Sequence, residues 1–190
     1  AGTTSLAVFE EGDVKHLAVL PVGAENITND LAIGLRCEHE VAERIKTEYG
    51  TLLGSKGKRT EKIDLPGGEQ LTFTAKFVSH IIEERVKEIL DLVQKELKKI
   101  EKQGQLPGGV ILCGGGAKLP KIAEFARKEL KLPVKVGVFQ GSSLMEADPS
   151  HLTVFGLLVS AAEEEGRGQG TKRKSPAFAF LRRLFKSFIP

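Results

Sequence analysis

The chain has 190 residues, 41% hydrophobic and 28% charged, with 10 Phe, one Tyr and no Trp. These are ordinary values for a globular protein and too apolar for a disordered one. Seven of the 28 basic residues (Arg167, Lys172, Arg173, Lys174, Arg182, Arg183, Lys186) and none of the 25 acidic ones follow residue 165. That leaves 21 basic against 25 acidic residues before it, a net −4 hidden within the overall +3.

Residues 5–10 and 15–22 are β-rich runs around Glu11-Gly12-Asp13 and predict a hairpin, closed by Pro21-Val22-Gly23. Thr28 is placed to cap a helix opening on Asn29-Asp30-Leu31, with Asp30 in its first turn. Residues 40–49 predict a second helix stopped by Gly50, and 52–59 a loop. Residues 62–65 and 70–73 flank Pro66-Gly67-Gly68 and predict a second hairpin. A long helix follows, with Phe77, Ile81, Val86, Ile89, Leu90, Val93, Leu97 and Ile100 at helical spacing, ending near Gln103-Gly104. Residues 109–113 read as a short apolar strand. A helix over 119–131 has Pro120 in its first turn, and 134–138 is another strand. Between Asp148-Pro149 and Glu164 lies a mostly apolar helix, expected to be buried. This order predicts an α/β fold with a mixed sheet.

No apolar run reaches the roughly 18 residues of a membrane-spanning helix. His16, His39, His80 and His151 are scattered singly, and Cys37 and Cys113 have no metal-ligand spacing, so neither a catalytic nor a metal site is expected. A reduced, intracellular setting is the simplest reading of the cysteines. Ala1 stands first and Met145 is the sole methionine, as expected of a piece cut from a longer protein.

Three motifs carry chemistry. Gly2-Thr3-Thr4 leads directly into a strand, a turn that offers backbone N–H groups and hydroxyls to a phosphate and also serves ordinary turns. Glu43 and Lys46 share a helix face at i and i+3, either as a solvated pair or as a carboxylate for ribose hydroxyls beside an ammonium for phosphate or adenine. Gly114, Gly115, Gly116 and Ala117 follow an apolar strand, where missing side chains permit close backbone approach to a flat ring or simply a tight turn. They match neither the spaced-glycine dinucleotide motif nor the phosphate loop ending in Gly-Lys-Ser/Thr.

In this order the three resemble the C-terminal half of the actin-like (ribonuclease H-like) ATPases, which include actin, Hsp70 and the sugar kinases. Residues 21–35, 42–46 and 107–118 look most like the bacterial cell-division FtsA family. The resemblance implies a nucleotide-binding subdomain (actin-like 2A) over 1–31 and 107–165 and a smaller one (2B) inserted over 32–106. Gly2, Thr3 and Thr4 would form the second phosphate loop, Glu43 and Lys46 the ribose and adenine side, and Gly114–Ala117 with Lys118 the adenine pocket. The cofactor implied is ATP, with Mg in the intact protein. The acidic residue and glycines that precede Gly-Thr-Thr in the family are absent here, as is the half with the catalytic carboxylates. No catalytic residue is therefore assigned, and at most a weak ATPase is implied. The implied protein polymerises in an actin-like way and binds the C-terminal tail of FtsZ on the smaller subdomain; basic residues of the long helix such as Arg85 and Lys87 would meet that acidic tail, or else form an ordinary solvated face. The protein would lie peripherally on the cytoplasmic face of the cell membrane, at the septum. The rival reading is a fragment of a small-molecule kinase or of another actin-like ATPase, such as a pilus or filament protein.

Residues 166–176 are Gly-rich and charged and predict a flexible linker spanning roughly 18 Å. Residues 177–190 then segregate completely on a helical wheel. Phe178, Phe180, Leu181, Leu184, Phe185, Phe188 and Ile189 fill one half; Arg182, Arg183, Lys186 and Ser187 lie in the other. That pattern predicts an amphipathic helix on anionic inner-membrane lipid rather than on nucleic acid, with docking on the protein's own core or a partner helix as the alternative. Each Lys or Arg near such a surface contributes about 1 kcal/mol, so six give at most about 6 kcal/mol. A helix this short is largely unfolded alone in water, so folding and binding are expected to be one event.

Overall fold

The computed structural model describes residues 2–54, 59–65, 67–138 and 148–168. Strands β1 (Thr4–Glu10) and β2 (Asp13–Leu20) form the expected antiparallel hairpin, with Thr4 opposite Leu20 and a register shift between Val8 and Phe9. The period of two decides what it buries: Val8 and Leu20 face the core, while Phe9, Leu17 and Val19 stay exposed.

Helix α1 (Ala24–Leu35) begins five residues before the position expected for its start, and Thr28 is not its cap. The N-cap is Gly23, whose N–H donates to Asn26 Oδ1 at 2.9 Å while Asn26 N–H donates to the Gly23 carbonyl at 3.1 Å. The earlier start winds Ile27 and Leu31, one turn apart, onto the same buried face. Thr28 is carried inside the fold with them, fully buried, and Asp30 moves to the middle of the helix. Arg36 ends α1 in the left-handed conformation, where Cys37 N–H reaches the Ala32 carbonyl. Helix α2 (His39–Tyr49) turns Val41, Ala42 and Ile45 inward, and Gly50 follows it as expected, in extended rather than left-handed geometry.

Strands β3 (Thr60–Asp64) and β4 (Gln70–Thr74) form the second hairpin, burying Ile63 and Phe73. Phe73 meets Tyr49 edge to face at 5.2 Å between ring centroids. Helix α3 (Ala75–Lys99) starts before Phe77 because Thr74 Oγ1 accepts the Phe77 N–H and caps it. Its buried stripe is Val78, Ile82, Val86, Leu90, Val93 and Leu97, which rotates Phe77 to the edge at 42% exposed. Against α1 and α2 each fully buried aliphatic side chain contributes roughly 1.5–3 kcal/mol.

Strands β5 (Val110–Leu112) and β6 (Val134–Val136) are parallel, joined through a 3-10 turn (Gly115–Lys118) and helix α4 (Ile122–Leu130). Pro120 lies ahead of α4 rather than in its first turn, because Lys121 stands at the N-cap with φ 65° and restarts the chain. A second 3-10 turn (Pro149–His151) leads into α5 (Leu152–Gly168). The expectation of a buried final helix fails: Val154, Leu157 and Leu158 are 57%, 67% and 60% exposed. A continuous apolar run winds side chains all round the helix, and its neighbours cover only part of the circumference. Helix α5 also takes in residues 166–168, the start of the expected linker. The rest of that linker and the whole of 177–190, with Phe178, Leu181, Arg182, Arg183, Leu184, Phe185, Lys186, Phe188 and Ile189, lie outside the described residues.

The expected mixed sheet is not formed among the described residues either. Among the described residues the strands make three separate two-stranded sheets, because β1 and β5 each pair on one edge only. Hairpin, helices and the parallel pair share one apolar core instead, running from Val8 and Leu20 through Leu31, Ile45 and Ile82 to Phe125 and Val134. Among the described residues no helix is long and apolar enough to cross a membrane.

Candidate nucleotide-binding site

The three motifs that are far apart in sequence converge on residues 22–24, where β2 hands over to α1. Thr4 Oγ1 donates to the Val22 carbonyl at 2.8 Å. Lys46 Nζ donates to the Ala24 carbonyl at 3.4 Å. A Cβ built on Gly116 would lie 3.3 Å from Ala24 Cβ, so the glycine turn rests on the same helix start. Gly2 and Thr3 are exposed at the head of β1, with open space around Gly2. The sequence order of these motifs is therefore also a spatial cluster.

Glu43 and Lys46 do share a face of α2, and that face packs on α1 rather than standing in water. Lys46 is only 8% exposed. Its ammonium donates to Glu43 Oε2 at 2.5 Å and to Thr28 Oγ1 at 2.7 Å. Thr28 Oγ1 in turn donates to the same Glu43 oxygen at 2.5 Å. A charge so nearly buried is tolerable only when paired and hydrogen-bonded in this way. The Glu43 side chain is 45% exposed. Partial burial pushes its carboxyl up, but the bonds from Lys46 and Thr28 outweigh this and hold it below its ordinary value. Beside it, His39 Nε2 pairs with Glu25 Oε1 at 2.8 Å, joining the first turns of α2 and α1.

The glycine turn is tied on its other side to the 3-10 turn before α5. Gly114 N–H donates to the Pro149 carbonyl at 2.9 Å. Gly114 sits at φ +91°, a conformation that disfavours any side chain. Lys118 Nζ donates to Asp148 Oδ2 at 2.7 Å while Asp148 Oδ1 accepts from Ser150 N–H at 2.8 Å. These bonds, the Lys118 one foremost, hold the Asp148 carboxyl far below the usual carboxylate range. Lys118 thus closes the turn onto Asp148, and Ala117 is buried beneath it.

Arg85 and Lys87 stand apart from this cluster on α3. Arg85 lines an open groove of about 570 Å³ between α1 and α3, with Ile33, Phe77 and Ile81. Its guanidinium grips Asp30 bidentately, Nε to Oδ2 at 2.6 Å and Nη2 to Oδ1 at 2.8 Å, and also bonds Glu88. Lys87 is exposed and does not line the groove. Among the described residues no group of three or more His, Cys, Asp or Glu side chains could hold a metal ion.

Sequence reasoning missed Thr28, Ala24 and Asp148. A hydroxyl residue between Ile27 and Leu31 was the available signal for Thr28, since a polar group on a buried helix face needs partners. Asp148 carried the Asp-Pro signature of a turn start, but nothing local indicated Lys118 as its partner.

Comparison with known proteins bears on the family and the fold. The family described as Cell division protein FtsA matches residues 1–156. The chain is 35% identical over 182 residues to the cell division protein FtsA of Bacillus subtilis, covering 93% of this chain and 41% of that protein. It is 31% identical over 173 residues to that of Pseudomonas aeruginosa, covering 88% of this chain and 42% of that one. The chain thus spans about two fifths of the length of the curated relatives it matches. Among solved structures it is similar to MreB5 of Spiroplasma citri bound to ADP, with a TM-score of 0.69 at 20% identity, over 89% of this chain and 53% of that one. The fold is accordingly that of part of an actin-like ATPase. On the match over residues 1–156, this chain belongs to the cell division protein FtsA family.

Proposed function

We propose that this chain supplies one wall of an ATP site within a cell-division adaptor. The observation that carries the reading is the meeting of the Gly-Thr-Thr turn, the Glu43–Lys46 pair and the Gly114–Ala117 turn at residues 22–24. Gly2, Thr3 and Thr4 would cradle phosphate with hydroxyls and backbone N–H groups. Glu43 would accept from ribose hydroxyls, and the glycine turn would let the adenine ring lie flat. When bound, Mg would supply positive charge against the phosphates. The subdomain division expected at 1–31 with 107–165, and at 32–106, belongs to this reading.

The intact protein would polymerise in an actin-like way and link the FtsZ ring to the cytoplasmic membrane. The tail over 177–190 supports this, because its apolar half-wheel and basic flank suit the interface of an anionic bilayer. Many modest, salt-sensitive tails on one polymer would bind by avidity. The FtsZ tail would dock on α3 near Arg85, where Ile33 and Phe77 offer exposed apolar surface. To pair with Arg85, an incoming carboxylate must compete with Asp30.

Sedimentation with liposomes of anionic lipid tests the anchor. The full chain is expected to co-sediment at low salt and Phe185→Glu to remain in solution; equal binding of the two would refute the anchor. An FtsZ tail peptide is expected to lose affinity for the Arg85→Glu, Lys87→Glu double variant, and unaltered affinity discards that surface.

A further inference from the structure

The Thr28, Glu43 and Lys46 side chains form a closed network whose hydrogen bonds can be counted. A lysine ammonium has three donors and no acceptor. In Lys46 one goes to Glu43 Oε2 at 2.5 Å, one to Thr28 Oγ1 at 2.7 Å and one to the Ala24 carbonyl at 3.4 Å. None is left for a ligand phosphate. The Thr28 hydroxyl has a single proton, which it gives to Glu43 Oε2 at 2.5 Å. Both donors thus converge on one carboxylate oxygen. The other, Oε1, has no hydrogen-bond partner among the described residues, on a side chain that is 45% exposed. Thr28 itself is fully buried and can touch nothing outside the fold.

We propose that Thr28 is a positioning residue: its buried hydroxyl turns Lys46 inward and clamps Glu43 Oε2, which leaves Oε1 aimed outward to accept from the vicinal hydroxyls of a nucleoside ribose. Lys46 then acts through Glu43 and not on phosphate. This rests on the nucleotide reading above and sharpens it, because it splits the Glu43–Lys46 pair into a ligand and a support. The chemistry favours the split. A carboxylate accepts two hydroxyl protons well, and a clamped carboxylate loses little freedom on doing so. An ammonium already saturated would have to break internal bonds inside the fold to reach a phosphate.

The test uses the intact protein, with both walls of the site present, and competition against a fluorescent nucleotide, comparing ATP, 2′,3′-dideoxy-ATP and adenosine. The wild type is expected to bind ATP about tenfold or more tighter than the dideoxy analogue, the worth of hydroxyl bonds to a charged acceptor. Thr28→Val brings that ratio towards one and Thr28→Ser restores it. Lys46→Met also lowers the ratio while leaving the preference for ATP over adenosine unchanged. A second readout needs no nucleotide: the ¹⁵N signal of the Lys46 ammonium is protected from exchange in the wild type and in Thr28→Ser, and lost in Thr28→Val. A Thr28→Val protein that keeps the ribose ratio overturns the proposal. So does a Lys46→Met protein that loses affinity for ATP but not for adenosine. If the ammonium is protected but the wild type binds no nucleotide, the network only joins α1 to α2, and the nucleotide reading fails with the proposal.

Discussion

Gly116 lies against Ala24 so closely that a Cβ on the glycine would sit 3.3 Å from the alanine methyl. That contact seats the turn after β5 on the start of α1, and through it joins the C-terminal motif to the N-terminal one. Gly116→Val is expected to force the two apart and cost about 1–3 kcal/mol, as overpacking does elsewhere. Gly114→Ala acts differently. Nothing lies within 4 Å of its Cβ position, but φ is +91°, so backbone strain alone costs about 1–2 kcal/mol. Urea denaturation of both variants checks the magnitudes. Gly116→Val should also weaken nucleotide binding more than its stability loss explains.

The Asp30–Arg85 pair ties α1 to α3 with two parallel hydrogen bonds on side chains 28% and 25% exposed. The Asp30 carboxylate, followed by the neighbouring Glu88, raises the Arg85 pKa against the cost of desolvation. A double-mutant cycle with Asp30→Asn and Arg85→Gln is expected to give a coupling of about 1 kcal/mol, the upper end for partly exposed pairs. A coupling near zero would mean that the groove beside Arg85 is held by its apolar residues alone.

Ser79 is 2% exposed in the second turn of α3, and its hydroxyl has no hydrogen-bond partner among the described residues. Ser79→Ala removes that unpaired group and adds helix propensity. It is expected to stabilise the protein by about 1 kcal/mol, seen as a higher urea midpoint at constant slope.

The β1–β2 hairpin is fastened to the C-terminal end of α3 by His16–Glu96 at 3.0 Å, with Lys99 also on Glu96, and to the turn just beyond it by Glu10–Lys102 at 2.5 Å. Lys102 lowers the Glu10 carboxyl, and Lys99 with His16 lowers that of Glu96, both from an ordinary 4.5. A carboxyl lowered by folding adds stability above its unfolded value, and that contribution is lost as pH falls through the lowered one. Acidification below about 4 should therefore loosen the hairpin from α3, read as faster amide exchange in β1 and β2. Glu10→Gln with Glu96→Gln should flatten that dependence. An unchanged pH profile would show that the apolar contacts of Val8 and Leu20 hold the hairpin alone.

Elements whose determinants are local could be read directly from the sequence. The period of two around Glu11-Gly12, the turn residues after Leu65 and the long alternation of apolar and charged residues to Lys99 each need only neighbours within a turn or a strand to take shape. The chemistry-bearing motifs were visible for the same reason, as short runs with the right residue types. Their resemblance to one family gave the fold, and with it the kind of site to expect.

Features that depend on what packs against what were not visible in this way. Thr28 reads as a cap in one dimension, because hydroxyls favour helix starts. Burial of Ile27 and Leu31 against α2 and α3 draws the helix start back to Ala24, and Thr28 becomes an interior bond partner. The apolar run of α5 reads as core, yet burial requires neighbours on every side, and among the described residues Val154, Leu157 and Leu158 lack them. Asp148 and Lys118 meet across 30 residues, and Thr4, Lys46 and Gly116 meet at residues 22–24 from three separate parts of the chain. Sequence by itself determined which local structures form and which chemical groups they carry. Only the tertiary structure decided which groups are buried, paired or left open to a ligand, because desolvation and hydrogen bonding depend on partners that only folding brings together.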